Sequence, residues 1–540
     1  MKASDLLITC LENERVEFIF GIPGEETLDL MDSLSGSKIR FVLARHEQAA
    51  AFMADAYGRL SGKAGVCLAT LGPGATNLLT GIADAFLDRA PLVAITGQAD
   101  LRRIHKESHQ YINIVESFQA ATKWNTRIEL PDVVPEVVRK AFKVAESEKP
   151  GAVHLELPDN IASRETNEAH VSPIPPIRVR RSSPDRHSLR RAAELIETSK
   201  FPVILAGNGV VRKNATPQLQ KFAELFCIPV VTTFMGKGAV TAKSGCHIGT
   251  LGLAKDRQLT DVFQKADLVV AIGYDLVEYA PMFWNPDLDK KIIHIDFTTS
   301  EVDLYYVPEV EIYSDIRETL ELLEGMISCN KKAEYFSALH QERLETFEKE
   351  GVVDLWPVRP QRVLYAIRKI LGDADILIGD VGTNKLWAAK FYPVYDNNTF
   401  LISNGFASMG FGLPAAIGAK LLHPHRKVAV VCGDGGFLMN IQEIETATRL
   451  NLNIVIIIFN DGGYNLIKWK SMTKFGNALA VDFSNPDFVK LADAFGIKGV
   501  RIKSSDAIDE ALIWAFSNQT PVIIDVPIDY SSNDLLAGLL

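Results

Sequence analysis

"VVCGDGGFLMN" occupies residues 430–440 and "IVIIIFNDGGYN" residues 454–465. In each, an apolar run stops at an Asp followed by paired glycines, and Asp461 lies 27 residues after Asp434. Runs this apolar read as strands buried on both faces, and a connection of that length holds a crossover helix, so the two strands are parallel. Parallel neighbours point the same way. Asp434 and Asp461 are therefore expected side by side past the carboxyl ends of their strands, where open α/β sheets bind ligands. Two oxygen donors on Gly-rich turns suit Mg²⁺ bridging to a phosphate or diphosphate, because that cation takes carboxylate, carbonyl and phosphate oxygens together. Asp-Gly is also ordinary turn chemistry. Its recurrence at consecutive strand ends is what points to a ligand.

The same alternation of strand and helix fills both ends of the chain. "VEFIFG", "IRFVLA", the helical "EQAAAFMADAYGRL", "AGVCLATLG", a helix from Ala75 and "PLVAITG" follow one another near the N-terminus. "PQRVLYAIRKIL", "DILIGD", "TFLISN", "GLPAAIGAKLL", "KVAVVCGD" and "NIVIIIFND" do so near the C-terminus. The two regions close alike, in "GAVHLELPDN" (151–160) and "PVIIDVPIDY" (521–530), a weak internal repeat. "PVILAGNG", "PVVTTF", "LVVAIGYD" and "IIHIDF" give the middle its own strands. The Pro-rich "VSPIPPIRVRRSSPD" (171–185) reads as a linker, and a polar helical stretch around 331–350 carries the chain back out. The expectation is α/β throughout, with three doubly wound parallel-sheet domains at 1–170, 186–345 and 358–540.

A net charge of −10 leaves no basic face for a nucleic-acid backbone or an anionic membrane, so a small molecule is the expected partner. Cys10, Cys67, Cys227, Cys246, Cys329 and Cys432 lack any metal-ligand spacing and read as reduced thiols in a cytoplasmic protein. The N-terminus is an amphipathic helical pattern with acidic residues rather than a signal peptide, and no run of ~20 apolar residues spans a membrane.

GDG followed some 27 residues later by Asn460-Asp461 resembles the diphosphate-binding signature of the thiamine-diphosphate enzymes. That resemblance implies that Asp434, Asp461 and the Gly463 carbonyl hold Mg²⁺, with Gly435 and Gly436 at the cofactor. Most members close on Asn-Asn; the Asp here adds a negative charge. "ARHEQAAAFMADAYGR" resembles the family's catalytic-glutamate segment, which makes Glu47 the carboxylic acid that assists loss of the cofactor's C2 proton. A first-turn Glu also complements a helix dipole. His46-Glu47 is no zinc motif, because position 50 is Ala. By the same resemblance Thr70 and Asn77 of "TLGPGATN" belong to the pyrimidine pocket, and Pro23 also contacts the cofactor. Val381, Gly382, Thr383 and Asn384 hold the diphosphate, Met409 wedges between the cofactor rings, the Ala407 carbonyl faces the aminopyrimidine, and Leu466 and Ile467 give apolar contacts. The N- and C-terminal domains are then the pyrimidine-binding and diphosphate-binding domains.

Within that family the look is nearest to acetolactate synthase large chains of the catabolic type, through "HKESHQYINIVESFQAATKW" and "IGYDLVEYAPMFWN". "TTFMGKGAV" departs towards the biosynthetic branch. The implied activity is decarboxylation of pyruvate on thiamine diphosphate and addition of the enamine to a second 2-oxo acid. Family decarboxylases present a His-His pair at the reactive carbon, whereas this chain has His109-Gln110, and Gln110 is no acid near neutral pH. A 2-oxo acid decarboxylase or oxidase is the alternative within the family, and a non-catalytic regulatory homologue the alternative outside enzymology. The resemblance further implies thiamine diphosphate and Mg²⁺ without FAD, and a homodimer or homotetramer with active sites at subunit interfaces. It leaves a regulatory subunit open.

Overall fold

Buried apolar runs become the inner strands, and the pairings between the strands named below are parallel. The computed structural model describes residues 1–167, 171–177, 181–252, 256–328, 331 and 334–536. Cys329, residues 178–180 of the linker, residues 332–333 of the polar helical stretch, and the outer ends of the first and last expected domains lie outside the described residues.

The first sheet contains β1 (Phe18–Gly21), β2 (Arg40–Leu43), β3 (Gly65–Ala69), β4 (Leu92–Gln98), β5 (Trp124–Arg127) and β6 (Ala152–Pro158), in the order β2-β1-β3-β4-β6-β5. The second contains β7 (Pro202–Ala206), β8 (Val230–Thr233), β9 (His247–Leu251), β10 (Leu268–Ile272), β11 (Lys291–Asp296) and β12 (Val310–Tyr313), in the order β12-β11-β10-β7-β8-β9. The third contains β13 (Ile376–Gly379), β14 (Phe400–Ile402), β15 (Val428–Gly433), β16 (Ile454–Asn460), β17 (Lys498–Arg501) and β18 (Val522–Pro527), in the order β14-β13-β15-β16-β18-β17. The first and third sheets share one permutation, with β6 and β18 in equivalent places, so the repeat glimpsed in the two closing segments is a repeat of topology. In the second sheet the order reverses between β7 and β10, the switch point at which such sheets form their crevice.

Four strands escaped the sequence reading: β5, β9, β12 and β17. Each lies at a sheet edge. β5, β12 and β17 keep exposed or half-buried residues, so they tolerate polar ones and lose their apolar signature, while β9 is buried after His247 but is broken as an apolar run by Gly249 and Thr250. The helix expected from Ala75 starts at Pro73, because proline's fixed φ suits the first helical position and Gly72, at φ 50, makes the turn into it. The polar stretch after residue 331 is more than a connector. It forms the helix Glu334–Gly351, which buries Phe336, Leu339 and Phe347.

The described residues gather into two compact units. One comprises Met1–Val179 with Gly405–Pro424 and Met439–Leu452; the other comprises Arg180–Asn404, His425–Leu438 and Asn453–Leu540. In the first, the helix Gly412–Leu422 lies against the helix Glu47–Ser61 so closely that a Cβ on Gly418 would stand 2.4 Å from the Met53 carbonyl oxygen. Phe52 and Phe411 meet edge to face at 5.5 Å beside it. Cys10, Cys67 and Cys432 are buried and Cys227 and Cys246 partly so, all as free thiols. Among the described residues no helix is long and apolar enough to cross a membrane.

Candidate active site

In the first unit, the loops that follow β1, β2 and β3 carry the expected pyrimidine-side residues. The chain leaves β2 at Leu43 and enters the helix Glu47–Ser61, which His46 caps by accepting from the Gln48 N–H at 3.1 Å. Glu47 is thus the first helical residue, only 9% exposed. Its Oε2 accepts from Asn77 Nδ2 at 3.0 Å. A Cβ on Gly74 would stand 3.3 Å from Oε1, so the glycine leaves that oxygen room. Thr70 donates to Glu26 at 3.1 Å and packs where a Cβ on Gly24 would stand, next to the exposed Pro23. Gln110 is exposed and left-handed at φ 57, and its carbonyl oxygen is 2.4 Å from where a Cβ on Gly72 would be. The His109-Gln110 segment therefore lies against the same helix start that carries Asn77.

The same unit holds two features with different histories. Ala407 is left-handed at φ 56, a conformation that costs an alanine about 1–2 kcal/mol, and Met409 is partly buried two residues on. Glu443 escaped the sequence reading. Its Oε1 accepts from the backbone N–H groups of both Arg45 and His46 at 3.0 Å, and its Oε2 from the Thr446 hydroxyl at 2.7 Å. This fully buried carboxyl pins the turn that delivers Glu47. Burial pushes it up to about 7.

In the second unit, the register pairs Gly433 with Phe459, which sets Asp434 and Asp461 at the ends of adjacent parallel strands as their spacing implied. Asp434 is 1% exposed. Its Oδ2 accepts from the N–H groups of Asp461 at 3.1 Å and Gly462 at 2.7 Å and from Asn485 Nδ2 at 2.7 Å, while Oδ1 accepts from Gly435 N–H at 2.8 Å. Burial, and then the charge of Asp434, push Asp461 up to about 7. Asn485 Oδ1 is buried with no donor among the described residues. Asn485, too, was missed; "SNPD" reads as turn chemistry. The Gly463 carbonyl accepts from Asn465 N–H at 3.0 Å. Among the described residues no group of three His, Cys, Asp or Glu is placed to hold a metal. An ion here would rest on two carboxylates and neutral oxygens, a donor set that fits a hard divalent cation and whose mutual repulsion such a cation would relieve.

Beside this pair, Val381 and Gly382 lead into the helix Thr383–Phe391. Gly382 sits at φ 145, and a Cβ there would meet Asn384 Oδ1 at 2.6 Å. Asn384 donates to the carbonyls of Asp380 at 2.6 Å and Val431 at 3.2 Å, tying the helix start to β15, and Thr383 donates to Asn465 Oδ1 at 3.2 Å. First-turn N–H groups so placed favour an anion. Gly436 is buried, and Gly435 leaves room for the Tyr464 ring, 2.7 Å from where its Cβ would be. Leu466 packs on the core while Ile467 is 57% exposed.

Three family profiles match in chain order: the N-terminal binding domain of thiamine pyrophosphate enzymes at 1–117, the central domain at 189–323, and the C-terminal binding domain at 380–526. An acetolactate synthase of Bacillus subtilis is 34% identical over 99% of this chain and 95% of its own length. The chain belongs to the thiamine pyrophosphate enzymes. Further relatives are a probable acetolactate synthase large subunit of Methanocaldococcus jannaschii, 36% identical over 98% of this chain and 92% of its own, and a catabolic acetolactate synthase of Raoultella terrigena, 35% identical over 99% and 97%. The chain is a thiamine-diphosphate-dependent enzyme like acetolactate synthase, with the family's three α/β domains. Glu47 and Gln110 fall within the N-terminal match, and Asp434 and Asp461 within the C-terminal one.

Proposed function

We propose that this protein is an acetolactate synthase-type carboligase that decarboxylates pyruvate and joins the remaining two carbons to a second 2-oxo acid, giving acetolactate and CO₂ from two pyruvates. The observation that carries the reading is the buried Glu47 carboxyl held through one oxygen by Asn77, in a chain whose full-length relatives are acetolactate synthases. Thiamine diphosphate supplies a thiazolium carbon that acts as nucleophile and electron sink. Glu47 keeps Oε1 as the proton-exchanging atom while Asn77 holds Oε2. Asp434, Asp461 and the Gly463 carbonyl would hold Mg²⁺, and the N–H groups at the start of the helix Thr383–Phe391 would bind the diphosphate. Gln110 hydrogen-bonds the second substrate and withholds the proton that would divert the reaction to an aldehyde. A homodimer is the minimal active unit, with a tetramer compatible.

The same reading is of an enzyme that works without FAD. At the switch point of the second sheet a Cβ on Gly209 would stand 2.5 Å from Gly273 Cα. There the Asn208 N–H, which in a nucleotide-binding turn would face phosphate, donates instead to the buried Glu278 carboxyl at 3.0 Å. Thr233 donates to that carboxyl as well. Burial pushes that carboxyl up to about 8, so a neutral acid of the protein takes the donor that a phosphate would need.

Product analysis tests the proposal: pyruvate alone, then pyruvate with 2-oxobutyrate, following acetolactate, acetohydroxybutyrate, CO₂ and acetaldehyde. Acetolactate with little acetaldehyde is expected. Predominant acetaldehyde would reassign the protein as a decarboxylase.

A further inference from the structure

We propose that a cavity of about 440 Å³ in the second unit, walled by β9 and the helices Glu334–Gly351 and Thr383–Phe391, binds a small organic anion: a phosphate or dicarboxylate group on an apolar body. None of the residues assigned above to cofactor, metal or catalysis lines it. Its volume lies in the range of small-molecule sites.

The walls carry more basic than acidic side chains. Lys237, His247, Arg257, His340, Arg343 and Lys390 line the cavity against two carboxylates, Asp256 and Glu350. Both carboxylates are engaged. Asp256 takes Arg343 at 2.8 Å and caps the helix Arg257–Lys265 through the N–H groups of Gln258 and Leu259, and Glu350 faces Arg359 at 3.9 Å. Lys237 and Arg343 are short of hydrogen-bond acceptors. Lys237 is 7% exposed, and its three-donor ammonium has a single acceptor among the described residues, the Ala389 carbonyl at 2.8 Å. Arg343 Nε is buried with no acceptor among them. Trp387, Phe347 and Phe391 supply an apolar wall.

Lys237 comes from "TTFMGKGAV", the stretch that departs towards the biosynthetic branch. Around it stand Arg343 and His340 from one helix, His247 from β9, Lys390 from a second helix and Asp256 from the N-cap of the helix Arg257–Lys265. Burial, and then the charge of Arg343, pull Lys237 down to about 7, and burial, followed by the charges of Lys237, Arg343 and His340, pulls His247 down to about 3. The basic groups thus penalise one another's charge, and an entering anion supplies both the missing acceptors and the missing sign. Binding must then raise Lys237 and take up a proton above neutral pH.

Calorimetric titration of the full chain, saturated with thiamine diphosphate and Mg²⁺, tests this at pH 8 in two buffers of different ionisation enthalpy, with inorganic phosphate in one arm and succinate in the other. One anion is expected to saturate one site per chain with net proton uptake. Lys237→Met and Arg343→Gln should each weaken it by about tenfold or more, as expected for loss of a charge-assisted hydrogen bond. Preference for phosphate assigns a phosphate ester, and preference for succinate a polycarboxylate. Saturation by neither, binding without proton uptake, or unchanged affinity in Arg343→Gln would each overturn the proposal, and the uptake measurement on the parent stands even if Lys237→Met does not fold.

Discussion

Replacing Glu443 by Gln should make the protein more stable at pH 8 and leave it unchanged at pH 4. Oε1 accepts two backbone N–H groups and Oε2 meets Thr446, while Glu445 adds a nearby negative charge. A Gln in the same rotamer keeps both acceptor contacts and donates to the Thr446 hydroxyl, so it reproduces the neutral acid without its ionisation. Burial raises the folded-state carboxyl from 4.5 to about 7. A raised folded value means that the group's contribution is fully present below the unfolded value and is lost as pH climbs through 4.5 towards 7. At about 1.4 kcal/mol per unit, the parent loses roughly 3 kcal/mol over that window and the Gln variant does not. For a cooperative unit of about 200 residues each kcal/mol moves the melting temperature by about 2–4 °C, so scanning calorimetry at pH 4 and pH 8 resolves the difference. Turnover should change little, because the Arg45-His46 turn stays pinned. Glu443→Ala is the opposite case: two part-buried N–H groups lose their acceptor at about 1 kcal/mol each, stability falls at both pH values, and turnover falls as Glu47 loses its anchor. A Gln variant with the parent's pH slope, or one less stable than the parent at pH 8, refutes the reasoning.

Glu47→Gln should cut turnover by about 10²-fold or more while thiamine diphosphate and Mg²⁺ still bind by calorimetry, since the amide keeps the Asn77 contact but cannot exchange the proton; parental turnover removes Glu47 from catalysis. Asp434→Ala should weaken Mg²⁺ and diphosphate binding together, because it removes one oxygen of a shared site and the acceptor for Gly462 and Asn485; equally tight binding of both sinks the metal assignment. Purified protein should be colourless, with Glu278 occupying the anion's place at Asn208, and a stoichiometric flavin spectrum would reverse that reading.

Short-range pattern decided much of this protein. The apolar runs that became β3, β4, β15 and β16 are buried throughout or nearly so, and such a run has few ways to hide except as an inner parallel strand. Once they are parallel, Asp434 and Asp461 must share an edge, and Glu47 follows the same rule from β2. Polarity blurs that signal at the edges, which is why β5, β9, β12 and β17 surfaced only in the fold. Tertiary structure alone decided the rest, because the partners are distant in sequence and neither carries a local mark. Glu443 reaches Arg45 across 398 positions, Asn485 reaches Asp434 across 51, and Glu278 reaches Asn208 across 70. A buried carboxylate and a solvated one look alike in a sequence. Only the packing that strips water from Glu443, Glu278 and Lys237 pushes the two carboxyls up and pulls the amine down.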